Sequence, residues 1–149
     1  MHPFDLKAAL FEKHAQHVVL IHFPIALFMN GVLFDFLAQW KKERALAAVA
    51  YYNFLVAAIA TIPAVITGIV AWQWELEGQK LKGILLTHLV MGCSSTVLIW
   101  AVWFIHRRTR PNQEESLPGY RLPIEAVSVF IVALTGHLGG FLSGVNGSG

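Results

Sequence analysis

The hydrophobic residues of this 149-residue chain are grouped into four long runs that short polar segments separate. About 20 apolar residues in a helix cross the roughly 30 Å hydrocarbon core of a bilayer. The runs therefore predict four spanning helices, at about 18–39, 46–72, 83–105 and 122–145. Open sheet edges are excluded from lipid, and no ten-residue alternation indicates a barrel. We predict an all-α, up-down-up-down four-helix bundle that forms a single transmembrane domain over 1–149.

A short amphipathic segment precedes the first run. Residues 4–16 place Phe4, Leu10 and Phe11 among polar residues such as Lys7 and Glu12. This pattern predicts a short helix along the membrane interface. The segment has no basic region followed by an apolar core, so we expect no cleavable signal peptide.

Composition supports a membrane protein and excludes several other classes. Hydrophobic residues make up 56% of the chain and charged residues 13%, whereas soluble domains usually carry about 25% charged residues. The net charge of +2 is too small to indicate nucleic-acid binding. The single cysteine, Cys93, excludes an internal disulfide, and no C-x-x-C-H motif for covalent haem attachment is present.

Lysine and arginine are unequally divided between the two sides of the predicted bundle. The 40–45 and 106–121 loops hold seven of them, while the N-terminal segment and the 73–82 turn hold four. Positive charge marks cytoplasmic loops. We therefore expect the two basic loops in the cytoplasm and both termini on the periplasmic side of a bacterial inner membrane.

Four histidines fall at one level of this predicted bundle. His17 and His22 begin span 1, His88 lies early in span 3, and His137 lies late in span 4. The up-down topology places all four in the outer half, with His22 and His88 roughly 7–8 Å deep and His137 roughly 12 Å deep. Ionisable residues in lipid usually face the bundle interior and mark functional sites. Neutral imidazole is suited to axial ligation of haem iron, so we predict these four as metal ligands.

Small and hydroxyl residues lie at the same level. A flat cofactor requires close helix approach, which small residues permit, although such stripes are also common packing devices. Thr87 and Thr135 are candidates for orienting the histidine rings. The predicted cofactor-lining residues are Gly68, which follows Thr67, with Thr87, Gly92, Thr135, Gly136 and Gly140.

His17 and His22 are too far apart around a helix to share one iron. Five residues turn an undistorted helix by about 500°, which leaves roughly 140° between the two side chains. They serve two sites, or only one of them is a ligand. Pro24 is harmless in a first helical turn, so it favours a helix start near His22. If the regular helix begins there, His17 belongs to a separately oriented segment.

The other polar residues are less specific. Asp35 and Glu125 are either interface charges or part of a proton or quinone path. His106 lies among arginines, and we expect it at the cytoplasmic interface.

Two stretches, "HVVLIHFPIAL" and "TGHLGG", carry a family resemblance. The chain resembles an uncharacterised bacterial family of four-span inner-membrane proteins, catalogued as a domain of unknown function. That family shows H-P-x-x-V-H-F-P-I-A-L at the start, a histidine early in span 3 and T-G-x-x-G-G in span 4. The matching positions here are His17, His22, Pro24, His88, Gly136, Gly139 and Gly140. Val18 stands where the family has proline. The resemblance implies a b-type cytochrome associated with periplasmic redox modules.

We therefore expect a membrane-embedded cytochrome b that holds one or two non-covalent haems by bis-histidine ligation. With a single haem, we expect His88 to pair with His137 or His22. Its partners would be a periplasmic cytochrome c or dehydrogenase, and the quinone pool or another subunit of a membrane redox complex. We expect an electron-transfer subunit of an oxidoreductase complex rather than an enzyme by itself. The alternatives are a histidine-lined metal or proton transport protein, or a structural subunit whose histidines only hydrogen-bond across helices.

Overall fold

Four helices make up the regular structure in the computed structural model, which describes residues 13–74, 77–78, 80–109 and 119–143. The helices are α1 (Lys13–Lys41), α2 (Arg44–Trp74), α3 (Gly83–Thr109) and α4 (Arg121–Leu142). Each is long and apolar enough to cross a membrane, and the described residues contain no strand. The predicted all-α bundle of four spans is confirmed.

The helices pack as antiparallel neighbours around a ring. α1 contacts α2 and α4, and α3 contacts α2 and α4. One end of the bundle holds the end of α1, the start of α2, the end of α3 and the start of α4, and we call it the basic-loop end. The other holds the start of α1, the end of α2, the start of α3 and the end of α4, and we call it the histidine end.

The helix bounds correct one expectation about the first span. α1 is continuous from Lys13, so His17 and His22 belong to one helix and Pro24 lies inside it. The expected start near His22 is wrong, because helices in lipid tolerate proline where neighbouring groups satisfy the freed carbonyl. Most of the predicted interfacial helix at 4–16 lies outside the described residues.

A tight turn sets the antiparallel pairing of α1 and α2. Lys42 adopts the left-handed region, with φ of 55°, and the Glu43 N–H donates to the Ala38 carbonyl at 3.2 Å. This bonding closes the last turn of α1 in the manner of a Schellman motif. Only two residues therefore separate α1 from α2, and the two helices must run side by side.

Small residues face inward on α2, and large ones face outward. Ala57, Ala58 and Ala64 are buried, whereas the isoleucines of the opposite face are about half exposed. These isoleucines are Ile59, Ile62, Ile66 and Ile69. Lipid is as apolar as a protein core, so helices in membranes associate by close approach of small residues. The pattern is that of a spanning helix.

The hydrophobic core lies toward the basic-loop end. Its buried members include Phe28 on α1, Phe54 on α2, Val102 on α3 and Val132 on α4. The Phe28 and Phe54 rings lie 5.6 Å apart between centroids. Toward the histidine end, no residue of α3 before Ser95 and no described residue of α4 after Val132 is buried. The bundle is therefore closely packed at one end and more open at the other.

The contact between Gly31 and Phe54 yields a stability prediction. A Cβ at Gly31 would lie 2.6 Å from a ring carbon of Phe54, which is fully buried. We expect Gly31→Ala to lower the free energy of unfolding by about 1–3 kcal/mol, because the ring must shift within a packed core. Denaturation of the detergent-purified protein, followed by circular dichroism, measures this change.

Gly92→Ala is the matched control. Its added Cβ would meet only a Thr135 methyl carbon at 4.0 Å, an ordinary contact. We expect it to be neutral or to stabilise by up to about 1 kcal/mol through helix propensity. Adding Phe54→Leu to Gly31→Ala should recover part of the loss. Equal stability of the Gly31→Ala variant and the wild type would contradict the packing argument.

Candidate functional site

His17 lies at the histidine end, against the last part of α2. Its side chain is half-buried, and its Nδ1 lies 3.2 Å from the Thr67 hydroxyl oxygen. A Cβ on Gly68 would lie 2.9 Å from its Cε1. Only glycine at position 68 therefore permits the His17 ring to lie this close to α2.

The hydrogen bonds of Thr67 determine which nitrogen of His17 carries hydrogen. The Thr67 hydroxyl donates to its own helix, 2.8 Å from the Pro63 carbonyl and 3.1 Å from the Ala64 carbonyl. A hydroxyl has one hydrogen, so toward His17 it acts as the acceptor. His17 then donates from Nδ1, and the lone pair of the neutral ring lies on Nε2. A histidine that donates from one nitrogen to a fixed partner is in the form that suits metal ligation through the other.

His88 lies at the same end, between α3 and α4. It is half-buried, and a Cβ on Gly139 would lie 3.1 Å from its Cε1. Its ring lies near the Thr135 backbone of α4, and its buried Nδ1 makes no hydrogen bond of standard geometry among the described residues. An unsatisfied polar atom in a buried position is costly, so this nitrogen is a candidate for contact with a bound group.

His22 and His137 have a different placement. Both are exposed. The His22 Nδ1 is hydrogen-bonded to the Val18 carbonyl of its own helix, and the His137 ring packs edge-on against Phe141 at 5.0 Å between centroids. Neither side chain lines the interior beside His88, so the expected pairing of His88 with His137 or His22 has no support in the geometry.

Of the other glycines named in the sequence analysis, three contact residues other than the histidines and one lies against a histidine ring. Gly136 lies against Ile25, which would be 3.4 Å from an added Cβ. Gly92 faces Thr135, and Gly140 is half-buried, with its carbonyl accepting from the Ser143 hydroxyl. Gly139, named in the sequence only through the family resemblance, is the glycine that lies against His88.

The two predicted ring-orienting threonines bond elsewhere. Thr87 is exposed, and its hydroxyl donates to the Gly83 carbonyl of its own helix. The Thr135 hydroxyl lies 2.8 Å from both the Ser95 hydroxyl and the Ile131 carbonyl. The hydroxyl that orients a histidine ring is that of Thr67.

A second polar group lies at the basic-loop end, inside the bundle. Arg121 begins α4 and is 3% exposed, and Asp35 on α1 is 0% exposed. The Arg121 Nε donates to Asp35 Oδ2 at 2.9 Å, and its Nη2 reaches Oδ1 at 3.5 Å. The two side chains thus form a two-point ion pair that joins α1 to α4.

His106 and Glu125 complete this group. They are 5% and 1% exposed, and His106 Nε2 lies 2.9 Å from Glu125 Oε1. One ligand atom each from Asp35, His106 and Glu125 lies within 4.8 Å of the others. We call Asp35, His106, Arg121 and Glu125 the buried tetrad.

The surroundings of the tetrad are mostly apolar. The Phe54 ring from α2 packs on His106, with centroids 4.7 Å apart. On the side toward the end of α1, the Gln39 amide donates to Asp35 Oδ2 at 3.3 Å. Phe54 also packs on Gly31 and belongs to the hydrophobic core, so the tetrad is in contact with the core through this ring.

The tetrad corrects the expectation for His106, which is buried and not at the interface. Asp35 and Glu125 are likewise not separate interface charges, because they belong to one internal network. The sequence contains one signal for it: two ionisable residues, Asp35 and Glu125, occur within apolar runs, at positions that the topology brings to the same end. Glu125 and Arg121 are far from Asp35 in the sequence, so their contact with it could not be predicted before the helices are packed.

The comparisons with known proteins agree with the fold. Residues 13–149 match the family described as "Predicted membrane protein (DUF2231)". The match covers more than half of the chain, and the chain therefore belongs to this family of membrane proteins. No curated protein and no solved structure matches it.

The ion pair of the tetrad yields a second stability prediction. We expect Asp35→Asn to lower the free energy of unfolding by about 3–5 kcal/mol, because it breaks a buried ion pair by removing one of its two partners. The double variant Asp35→Asn with Arg121→Gln should recover most of the loss. Unfolding in mixed detergent micelles measures both. Glu43→Gln, at an exposed carboxylate, is the control and should stay within about 0.5 kcal/mol. A fully stable Asp35→Asn variant would show that the pair contributes nothing.

Proposed function

We propose that this member of the DUF2231 family is a b-type cytochrome subunit of the bacterial inner membrane that carries electrons at its histidine end. Four spanning helices and the family support the membrane assignment. The excess of lysine and arginine in the two loops of the basic-loop end supports a cytoplasmic position for that end, with both termini in the periplasm.

The observation that carries the proposal is the placement of His17 and His88. They come from different helices, lie at the same end of the bundle, and are both half-buried. Each ring lies against a glycine of a neighbouring helix, Gly68 or Gly139, at a distance that a Cβ would obstruct. Between these helices the bundle has fewer buried residues than at the opposite end, which suits a bound group.

The side chains present fit a haem. Imidazole is the usual axial ligand in b-type sites of helical bundles, and a bound haem supplies reversible one-electron transfer at its iron. His17 would hold it through Nε2, with Nδ1 donating to Thr67, and His88 has a buried Nδ1 that makes no hydrogen bond of standard geometry among the described residues. Gly68 and Gly139 leave space for the two rings.

Of the four histidines predicted as ligands, the proposal keeps two, His17 and His88. His22 and His137 are exposed whereas His17 and His88 are half-buried, and this difference supports one bis-histidine haem held by His17 and His88.

The partners follow from the position of this site. An electron donor or acceptor at the histidine end would be a periplasmic cytochrome c or dehydrogenase. The other partner would be the quinone pool or another membrane subunit. The outer faces of all four helices carry large exposed hydrophobic residues, such as Phe36, Ile66, Val97 and Phe130, which suit lipid or other subunits of a membrane complex.

The ligand assignment is tested by visible spectroscopy of the protein purified in detergent with haem supplied. We expect the reduced wild type to show the α-band of haem b. His17→Ala and His88→Ala should each lose most of it, because each removes an axial nitrogen. His22→Ala and His137→Ala are the matched controls and should keep it. A wild type that stays colourless with added haemin would rule out the cytochrome, and loss only in the two controls would overturn the assignment.

Thr67 offers a separate test of the His17 orientation. We expect Thr67→Val to weaken haem binding by roughly 10-fold, since removing a hydrogen bond behind a metal ligand typically has this effect. Thr67→Ser keeps the hydroxyl and should restore the affinity. Haem titration followed by absorbance measures both variants, and circular dichroism checks that the fold is unchanged. Equal affinity of Thr67→Val and the wild type would remove Thr67 from the site.

A further inference from the structure

The charges of the buried tetrad do not balance without an additional proton. Asp35 and Glu125 contribute two negative charges when ionised, and Arg121 contributes one positive charge. With a neutral His106 the group carries a net charge of −1. One proton bound by the His106–Glu125 pair brings the net charge to zero. Since an uncompensated charge in a low-dielectric interior is costly, the neutral form is favoured.

We propose that the buried tetrad is a proton-binding site, in which the His106–Glu125 pair takes up and releases one hydrogen ion at the basic-loop end. Uptake forms an N–H bond on His106 or an O–H bond on Glu125, and it breaks one O–H bond of hydronium. Release returns the proton to water. No electron is transferred in this step, and the site does not require a haem.

The second oxygen of Glu125 is the observation that points to a ligand. Glu125 is 1% exposed, and its Oε2 has no hydrogen-bond partner among the described residues, whereas Oε1 is bonded to His106. A buried carboxylate oxygen without a partner is rare and costly. A proton on this carboxyl group removes the charge from the unpartnered oxygen, and a water molecule that delivers the proton supplies a hydrogen bond.

The position of Arg121 favours a proton over a divalent metal ion as the ligand of the tetrad. The ligand atoms of Asp35, His106 and Glu125 are close enough together to hold a metal. However, the guanidinium of Arg121 already reaches both oxygens of Asp35. A metal would have to displace it and would add two further positive charges beside it. A proton adds one charge, and that charge completes the neutral form.

The groups around the pair come from all four helices. α1 contributes Asp35, α3 contributes His106, and α4 contributes Arg121 and Glu125. α2 presents the ring of Phe54 to His106, and its only charged residue is the exposed Arg44. Among the residues that the structure describes, the charged groups that face the pair are therefore those of the tetrad.

The site is close to water on one side. Arg121 is the first residue of α4, and Glu125 lies one helical turn further in, roughly 6 Å along the axis. Asp35 is bonded to Gln39, which is exposed near the end of α1. Exchange thus takes place at the basic-loop end, at the opposite end of the bundle from His17 and His88.

Two spectroscopic measurements on the haem-free protein in detergent locate the proton. Infrared spectroscopy detects the carbonyl stretch of a protonated carboxyl group at neutral pH, where exposed carboxylates are ionised. Nitrogen NMR with labelled histidine detects an imidazole ring protonated on both nitrogens. We expect the wild type to show one of these signals. Glu125→Gln should lose it completely, and Glu43→Gln should keep it.

His106→Gln is the second variant, and it should lose the imidazolium signal if the proton lies there. The wild-type spectra are also decisive without any variant. Exposed histidines are neutral at about pH 8, so the absence at that pH of both a protonated carboxyl group and an imidazolium ring overturns the proposal. An unchanged signal in a folded Glu125→Gln protein overturns it as well. Binding of one equivalent of Zn²⁺ that Glu125→Gln abolishes would make the tetrad a metal site instead. A colourless protein with haemin does not affect any of these outcomes.

Discussion

The ion pair between Arg121 and Asp35 is the interaction on which the packed end of the bundle depends. Lipid cannot solvate a guanidinium, so α4 can enter the bundle at Arg121 only where a carboxylate on another helix meets it. Asp35 on α1 supplies that carboxylate at 2.9 Å. The pair fixes the register of α1 against α4, and this register brings Glu125 toward His106 on α3. The ring of Phe54 on α2 packs on His106 and covers the group on the side of the hydrophobic core.

The two ends of the bundle are built on different principles. At the basic-loop end, charged groups neutralise one another and a close-packed core surrounds them, so the helices are held together by their own side chains. At the histidine end, glycines and half-buried histidines replace the core. That end has less internal packing of its own, which is consistent with the proposal that a cofactor and a partner protein complete it. The proposed electron site and the proposed proton site are thus at opposite ends of the same four helices.

The sequence allowed the four spans, their topology and the common level of the histidines to be predicted, because each depends on position along the chain. It did not distinguish His17 from His22, which face different directions on one continuous helix. It did not predict Thr67 as the partner of His17, since the rotation of each helix about its axis is set by its neighbours. His106 was placed at the interface because nearby arginines suggested it, and its burial follows from Glu125 on a helix 19 residues away in sequence.

By itself, the sequence determined that this is a four-helix membrane protein with histidines near one end and basic loops at the other. Length and hydropathy suffice for this, because the bilayer imposes one thickness and excludes unpaired backbone. Only the tertiary structure decided which polar side chains meet. A helix turns 100° per residue, so small differences in helix rotation move a side chain from the interior to the lipid. Those rotations depend on contacts such as Gly31 with Phe54, which form between helices.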